Sequence, residues 1–152
     1  FEIAMQMETD GAGFYAKAAE NASNESLKES LTTLSDWEKE HYKKFSEMLN
    51  EILNDSEAIV SPDGQASLYL EAFVSGALFD QNANPLEHLG EETSLEDIFK
   101  VAVSLEKDSV CYYAGIKEAV VGKAAKDKID RIISEEMEHI RILSGHLQAL
   151  NA

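Results

Sequence analysis

The sequence predicts an all-α fold: a four-helix bundle assembled from two pseudo-symmetric helical hairpins. Three observations predict it. Glycine and proline are scarce, 8 and 2 in 152 residues, which favours helices over a turn-rich β fold. Two long segments place apolar residues at sustained heptad steps. Residues 1–49 also align on 99–147 without gaps, at an offset of 98, with identities that include Phe1/Phe99, Ala4/Ala102, Glu8/Glu106, Tyr15/Tyr113, Glu38/Glu136, His41/His139 and Leu49/Leu147.

The first helical pattern covers about Phe1 to Asn21. Because the chain opens inside that pattern, a few native N-terminal residues are expected to precede it. The second opens near Glu25 and runs to about Leu53, with the seam Leu27, Leu31, Leu34, Glu38, His41, Phe45, Met48, Ile52. The third starts near Ser94, where Asp97 is placed to complete a capping box, and runs to about Val121. The fourth runs from about Ala124 to Leu150, with the seam Ala125, Ile129, Ile132, Glu136, His139, Leu143, His146, Leu150. Residues Asn21–Asn24 and Gly122 read as short turns, so each pair of helices is antiparallel.

Between the hairpins (1–53 and 94–152) lies a crossover, 54–93. It contains Ser61-Pro62-Asp63-Gly64, an apolar segment Ala66–Phe79 that reads as a short helix, and an irregular stretch around Asn82–Gly90. A connection this long has a task in a compact domain, and recrossing the bundle is the one expected here. The second and third patterns then run parallel, and residues 1–152 form one domain.

Composition narrows function. A formal net charge of −16 argues against nucleic acid or an anionic membrane as partner, because both require lysine and arginine patches. No apolar run approaches the roughly 20 residues of a membrane span, and no signal peptide is visible. The single cysteine, Cys111, excludes an intrachain disulfide and a four-cysteine iron site within these residues. The default location is the cytoplasm.

The chemistry lies in a duplicated set. Glu-x-x-His occurs as Glu38/His41 and Glu136/His139, and each copy has another glutamate 30 residues upstream, Glu8 and Glu106. Residues i and i+3 share a helix face, so each glutamate points the same way as its histidine, and all four lie in apolar seams. Glu8 and Glu38 each stand 15 residues from Ser23 in the first turn, roughly 22 Å along the helix, and Glu106 and Glu136 are as far from Val121. Four carboxylates and two imidazoles therefore converge at one level. Buried carboxylates without partners are costly, so they protonate or find cations. Two divalent metals neutralise four glutamates, one oxo dianion would cancel the two charges that oxidation adds, and the oxidised pair is expected to be oxo- or hydroxo-bridged. Carboxylate and imidazole donors without thiolates suit iron or manganese rather than structural zinc.

Other residues carry more modest expectations. Tyr15 and Tyr113, two turns beyond Glu8 and Glu106, are either core packing or hydrogen-bond partners of a ligand glutamate. Trp37 is expected to pack between helices and His146 to be partly buried. Cys111 is expected to be inert packing, and His88 an exposed crossover residue.

At Met7-Glu8…Phe14-Tyr15, Glu38-Lys39-Glu40-His41, Leu105-Glu106…Tyr112-Tyr113 and Glu136-Met137-Glu138-His139 the chain resembles the rubrerythrin-like branch of the ferritin-like di-iron superfamily. The resemblance covers nearly the whole chain. It implies a ferritin-like four-helix bundle with two iron ions, Glu38 and Glu136 as bridges, Glu8 and Glu106 as terminal carboxylates, and His41 and His139 as terminal imidazoles. It implies a peroxidase that reduces hydrogen peroxide, usually as a homodimer. Two features depart from full rubrerythrins. One cysteine cannot build their rubredoxin-like domain, so electrons must come from an external donor protein. Ser109 stands where they carry an additional glutamate three residues after the third-helix ligand. Dioxygen as oxidant, ferrous iron as substrate (ferroxidase or iron handling) and a non-catalytic metal-binding bundle remain the alternatives.

Overall fold

The computed structural model describes residues 1–22, 24–54, 64–75 and 93–150. Among the described residues five helices follow in order: α1 (Glu2–Glu20), α2 (Glu25–Asn54), α3 (Gly64–Val74), α4 (Leu95–Ala119) and α5 (Lys123–Leu150). The four long helices begin and end within two residues of their predicted bounds. The short one, α3, starts two residues earlier than expected. Residues 61–63, residues 76–79 of its predicted apolar segment, the irregular stretch 82–90 and His88 lie outside the described residues. Among the described residues no helix is long and apolar enough to cross a membrane.

Local signals account for the boundaries. The Asn24 side chain accepts the Leu27 amide at 2.9 Å and opens α2. Ser94 accepts the Asp97 amide at 3.1 Å and donates to its carboxylate at 2.6 Å, which is the anticipated capping pair at the start of α4. Between α4 and α5, Gly122 adopts φ +107°, a left-handed conformation that a side chain would strain.

Pairings across the bundle fix the direction of each helix. Tyr15 bonds Glu106 and Tyr113 bonds Glu8, so α1 and α4 are antiparallel. Lys44 meets Glu135, and Lys128 meets Glu51, so α2 and α5 are antiparallel as well. With antiparallel hairpins, α2 and α4 must run parallel, the single-crossover arrangement.

Apolar residues form two layers. Phe14, Leu27, Leu31, Leu34, Phe99 and Leu143 belong to one. Phe45, Met48, Phe73, Tyr112, Ile129 and Ile132 belong to the other. The seam glutamates and histidines occupy the level between them. The α2 seam is buried from Leu27 through Met48. The α5 seam is buried from Ile129 through Leu143 and then runs out to solvent, with Leu150 46% exposed.

α3 covers only one face, lying on α4. A Cβ on Gly115 would come 2.6 Å from the Tyr69 ring, so glycine is what permits this close approach. Tyr69 donates to the Cys111 carbonyl at 2.8 Å, and Phe73 packs on Tyr112. Cys111 itself is exposed, contrary to its expected packing role, because it lies off the inward stripe of α4.

Candidate metal centre

All six predicted residues meet in the middle of the bundle. Glu8, Glu38, His41, Glu106, Glu136 and His139 are each at most 4% exposed. Each comes from the helix that the sequence assigned: α1 and α4 give one carboxylate apiece, while α2 and α5 give one Glu-x-x-His apiece.

The six fall into two overlapping groups able to hold a metal ion. One comprises Glu8, Glu38, His41 and Glu136, and the other Glu38, Glu106, Glu136 and His139, with the ligand atoms of each group within 4.8 Å of one another. Glu38 and Glu136 belong to both. Glu136 turns one oxygen to each histidine, Oε1 to His41 Nδ1 and Oε2 to His139 Nδ1, both at 2.9 Å. Glu38 does likewise, Oε2 lying 3.7 Å from His41 Nδ1 and Oε1 3.1 Å from His139 Nδ1. The shared carboxylates therefore stand between the two groups.

These donors fit metal ions better than they fit each other. Both Nδ1 atoms, both Glu136 oxygens, Glu8 Oε2 and Glu38 Oε1 are buried and make no hydrogen bond, despite their short separations. Buried polar atoms without partners are costly. Oxygen and nitrogen donors about 2.1 Å from a common ion stand about 3 Å apart at right angles, which is the spacing found here.

Electrostatics lead to the same conclusion. Burial pushes the Glu8 and Glu106 carboxyls well above the usual carboxylate range. Burial would raise Glu38 too, but the proximity of Glu8, His139 and His41 outweighs it and holds Glu38 below that range. Burial also disfavours charge on the imidazoles, yet the facing carboxylates prevail. Glu136, Glu38 and Glu8 hold His41 far above its ordinary value, and Glu106, Glu136 and Glu38 push His139 up to about 12. With protein groups alone, protons do the neutralising that cations would otherwise do.

The tyrosines are partners of the glutamates, but in a crossed pattern. Tyr15 donates to Glu106, and Tyr113 donates to Glu8 at 2.5 Å. A tyrosine seven residues along the same helix stands about 10 Å from its glutamate, too far to bond it. The antiparallel contact of α1 with α4 places each tyrosine level with the glutamate of the other hairpin. Burial, then the nearby carboxylates, raises both phenols well above their ordinary range, so they stay protonated donors.

The sequence reading missed two residues. Glu135 Oε2 lies 2.7 Å from His41 Nε2 and takes Lys44 Nζ at 2.6 Å. Trp37, expected between helices, is 39% exposed and stacks on His139 with centroids 5.0 Å apart. It flanks the seam rather than sitting in it, so its ring covers the histidine from outside. Both residues line a surface cleft of about 430 Å³ with Glu40, Lys44, Glu138 and the two histidines. His146 is partly buried as expected, against Phe99.

The fold and site define a ferritin-like helical bundle with a buried glutamate and histidine cluster able to bind metal. The chain belongs to the Rubrerythrin family, whose profile matches residues 2–147. No curated protein sequence matches it. Among solved structures it is similar to that of a candidate ferritin-like diiron-carboxylate protein from Thermotoga maritima, 23% identical, with 97% of this chain and 91% of that one covered and a TM-score of 0.70.

Proposed function

We propose that this chain is a non-haem di-iron oxidoreductase that reduces hydrogen peroxide and is reset by an external electron-donor protein. The observation that carries this reading is the pair of overlapping four-residue groups sharing Glu38 and Glu136, with unpartnered donor atoms turned inward. Glu38 and Glu136 would bridge two ions, Glu8 and His41 would complete one position, and Glu106 and His139 the other. The description of the Thermotoga maritima protein as diiron-carboxylate supports iron over manganese. A ferrous pair held there would supply the two electrons by which peroxide and two protons become two waters.

The chain's own residues have definable tasks. Tyr113 holds its proton on Oη and donates it to Glu8 Oε1, leaving Oε2 without a hydrogen bond and free for a cation. Tyr15 orients Glu106 in the same way. The apolar layers above and below exclude bulk water and strengthen every charge interaction between them. The cleft beside His41 and His139 gives a small oxidant an approach from α2 and α5. A homodimer, on the family resemblance, and the cytoplasm as default location complete the reading.

Anaerobic titration of the reduced, iron-loaded protein with peroxide tests it. One peroxide should oxidise two irons, with optical features of a ferric pair appearing in step. Two bound irons indifferent to peroxide would overturn the peroxidase reading. Ferroxidase activity is the second reading, favoured by the carboxylates of Glu40, Glu135 and Glu138 that line the cleft. Many ferrous ions oxidised per chain, with release of the product, would establish it instead.

A further inference from the structure

The two imidazoles that face the cluster differ in what stands behind them. Behind His41 is a carboxylate: Nε2 lies 2.7 Å from Glu135 Oε2, and Lys44 reaches the same oxygen. Behind His139 is an indole: Trp37 lies parallel to the ring within 8°. The 98-residue offset makes Trp37 and Glu135 equivalent positions of the repeat, and Lys44 equivalent to Ile142. The duplication is thus broken just outside the cluster, whose inner residues it preserves. Among the described residues no carboxylate is hydrogen-bonded to His139 Nε2.

We infer that Glu135 and Trp37 make the two metal positions unequal, so that the His41 position fills first and holds its ion more tightly, while the His139 position is weaker and exchangeable. The inference rests on the metal-centre reading above. A neutral imidazole that offers Nδ1 to a cation carries its proton on Nε2. In His41 that proton is donated to Glu135, which fixes the ring and makes Nδ1 a stronger donor. Lys44 anchors the carboxylate in turn, so the chain Lys44–Glu135–His41 is held at both ends. In His139 the Trp37 stack defines the plane of the ring but accepts no proton from Nε2 and brings no negative charge. The indole, 39% exposed, is also part of the cleft wall. Glu135 and Trp37 are positioning residues: they act through the histidines.

Titration of the metal-free full chain with manganous ion tests this, followed by electron paramagnetic resonance, calorimetry and fluorescence. Trp37 is the chain's single tryptophan, so its emission reports on the His139 position. Wild type should bind in two steps. The first equivalent should give an isolated manganous signal with little change in Trp37 emission. The second should give a spin-coupled pair and the emission change. Glu135→Gln should weaken the first step about ten- to a hundredfold and leave the second nearly unmoved, so that the two merge. Trp37→Glu, which installs the equivalent carboxylate, should tighten the second step. One-step binding of both ions in wild type, or an equal effect of Glu135→Gln on both steps, overturns the inference and leaves the metal centre standing. Failure to bind any manganous or ferrous ion overturns both.

Discussion

The two hairpins carry the same inner residues and different outer ones. α1–α2 and α4–α5 each supply a carboxylate, a tyrosine and a Glu-x-x-His, all buried. At their outer faces they diverge. Gly115 of α4 admits the Tyr69 ring, whereas the equivalent residue of α1, Lys17, is half exposed and pairs with Glu20. Tyr112 is covered by Phe73, whereas its equivalent, Phe14, packs within the opposite apolar layer. Trp37 and Glu135 diverge beside the histidines. The repeat thus persists where six side chains must meet within a few ångströms and lapses where only one hairpin receives α3 or flanks the cleft. The tyrosine bonds cross from hairpin to hairpin, so neither half can form the site alone.

That comparison breaks most sharply at the shared carboxylates. Glu38→Ala or Glu136→Ala removes a ligand from both groups at once, and metal analysis should find the pair lost. Glu40→Ala, at an exposed position beside the seam, should retain two ions per chain. Equal metal content in all three variants would remove the assigned site. The tyrosines sharpen the comparison next. Tyr15→Phe and Tyr113→Phe should have matching effects, each weakening metal binding about ten- to a hundredfold. Each should also cost the fold about 1–3 kcal/mol by leaving a buried glutamate oxygen unpaired. Metal titrations and chemical denaturation of the pair check both figures, and an effect confined to one tyrosine would contradict the pseudo-twofold arrangement.

The third prediction concerns pH. Glu8, Glu106, His41 and His139 all titrate higher in the metal-free fold than in the unfolded chain. The folded state therefore binds more protons than the unfolded state above about pH 4.5 for the glutamates and about pH 6.5 for the histidines. Stability from these groups is full below those values and declines as pH rises. Glu38, lowered in the fold, is ionised in both states across this range and adds no slope. The metal-free protein should thus melt at a lower temperature at pH 8 than at pH 5. The loaded protein should lose that decline, because metal binding displaces the protons and tightens with pH. Thermal melts of both forms decide it. The smallest effect is expected at the α3 contact. Gly115→Leu should destabilise by about 1–3 kcal/mol through overpacking against Tyr69, with metal stoichiometry unchanged. Denaturation and metal analysis of the variant test both halves of that statement.

Much of this was legible in the sequence because it repeats. Heptad steps placed Glu38, His41, Glu136 and His139 in buried seams, and equal distances from the turns set four glutamates at one level. The crossed tyrosine bonds were not legible, since spacing along one helix says nothing about which residue of another helix lies beside it. Trp37 and Glu135 escaped for a related reason. Each flanks its seam by one residue, and only the docking of α2 on α5 brings them against the histidines. The alignment did hold a trace of them, as a mismatch directly before two matched glutamates. α3 was recognisable as a short apolar helix, but its seat on α4 depends on Gly115, whose significance appears only when Tyr69 is beside it.

The most direct test of a metal pair shared by the two hairpins is the iron content of protein loaded anaerobically and then oxidised, read together with its paramagnetic resonance. Two irons per chain that couple and show no isolated ferric signal are the predicted result. Iron that stays at one per chain, or appears wholly as isolated high-spin ferric ion, would contradict the account.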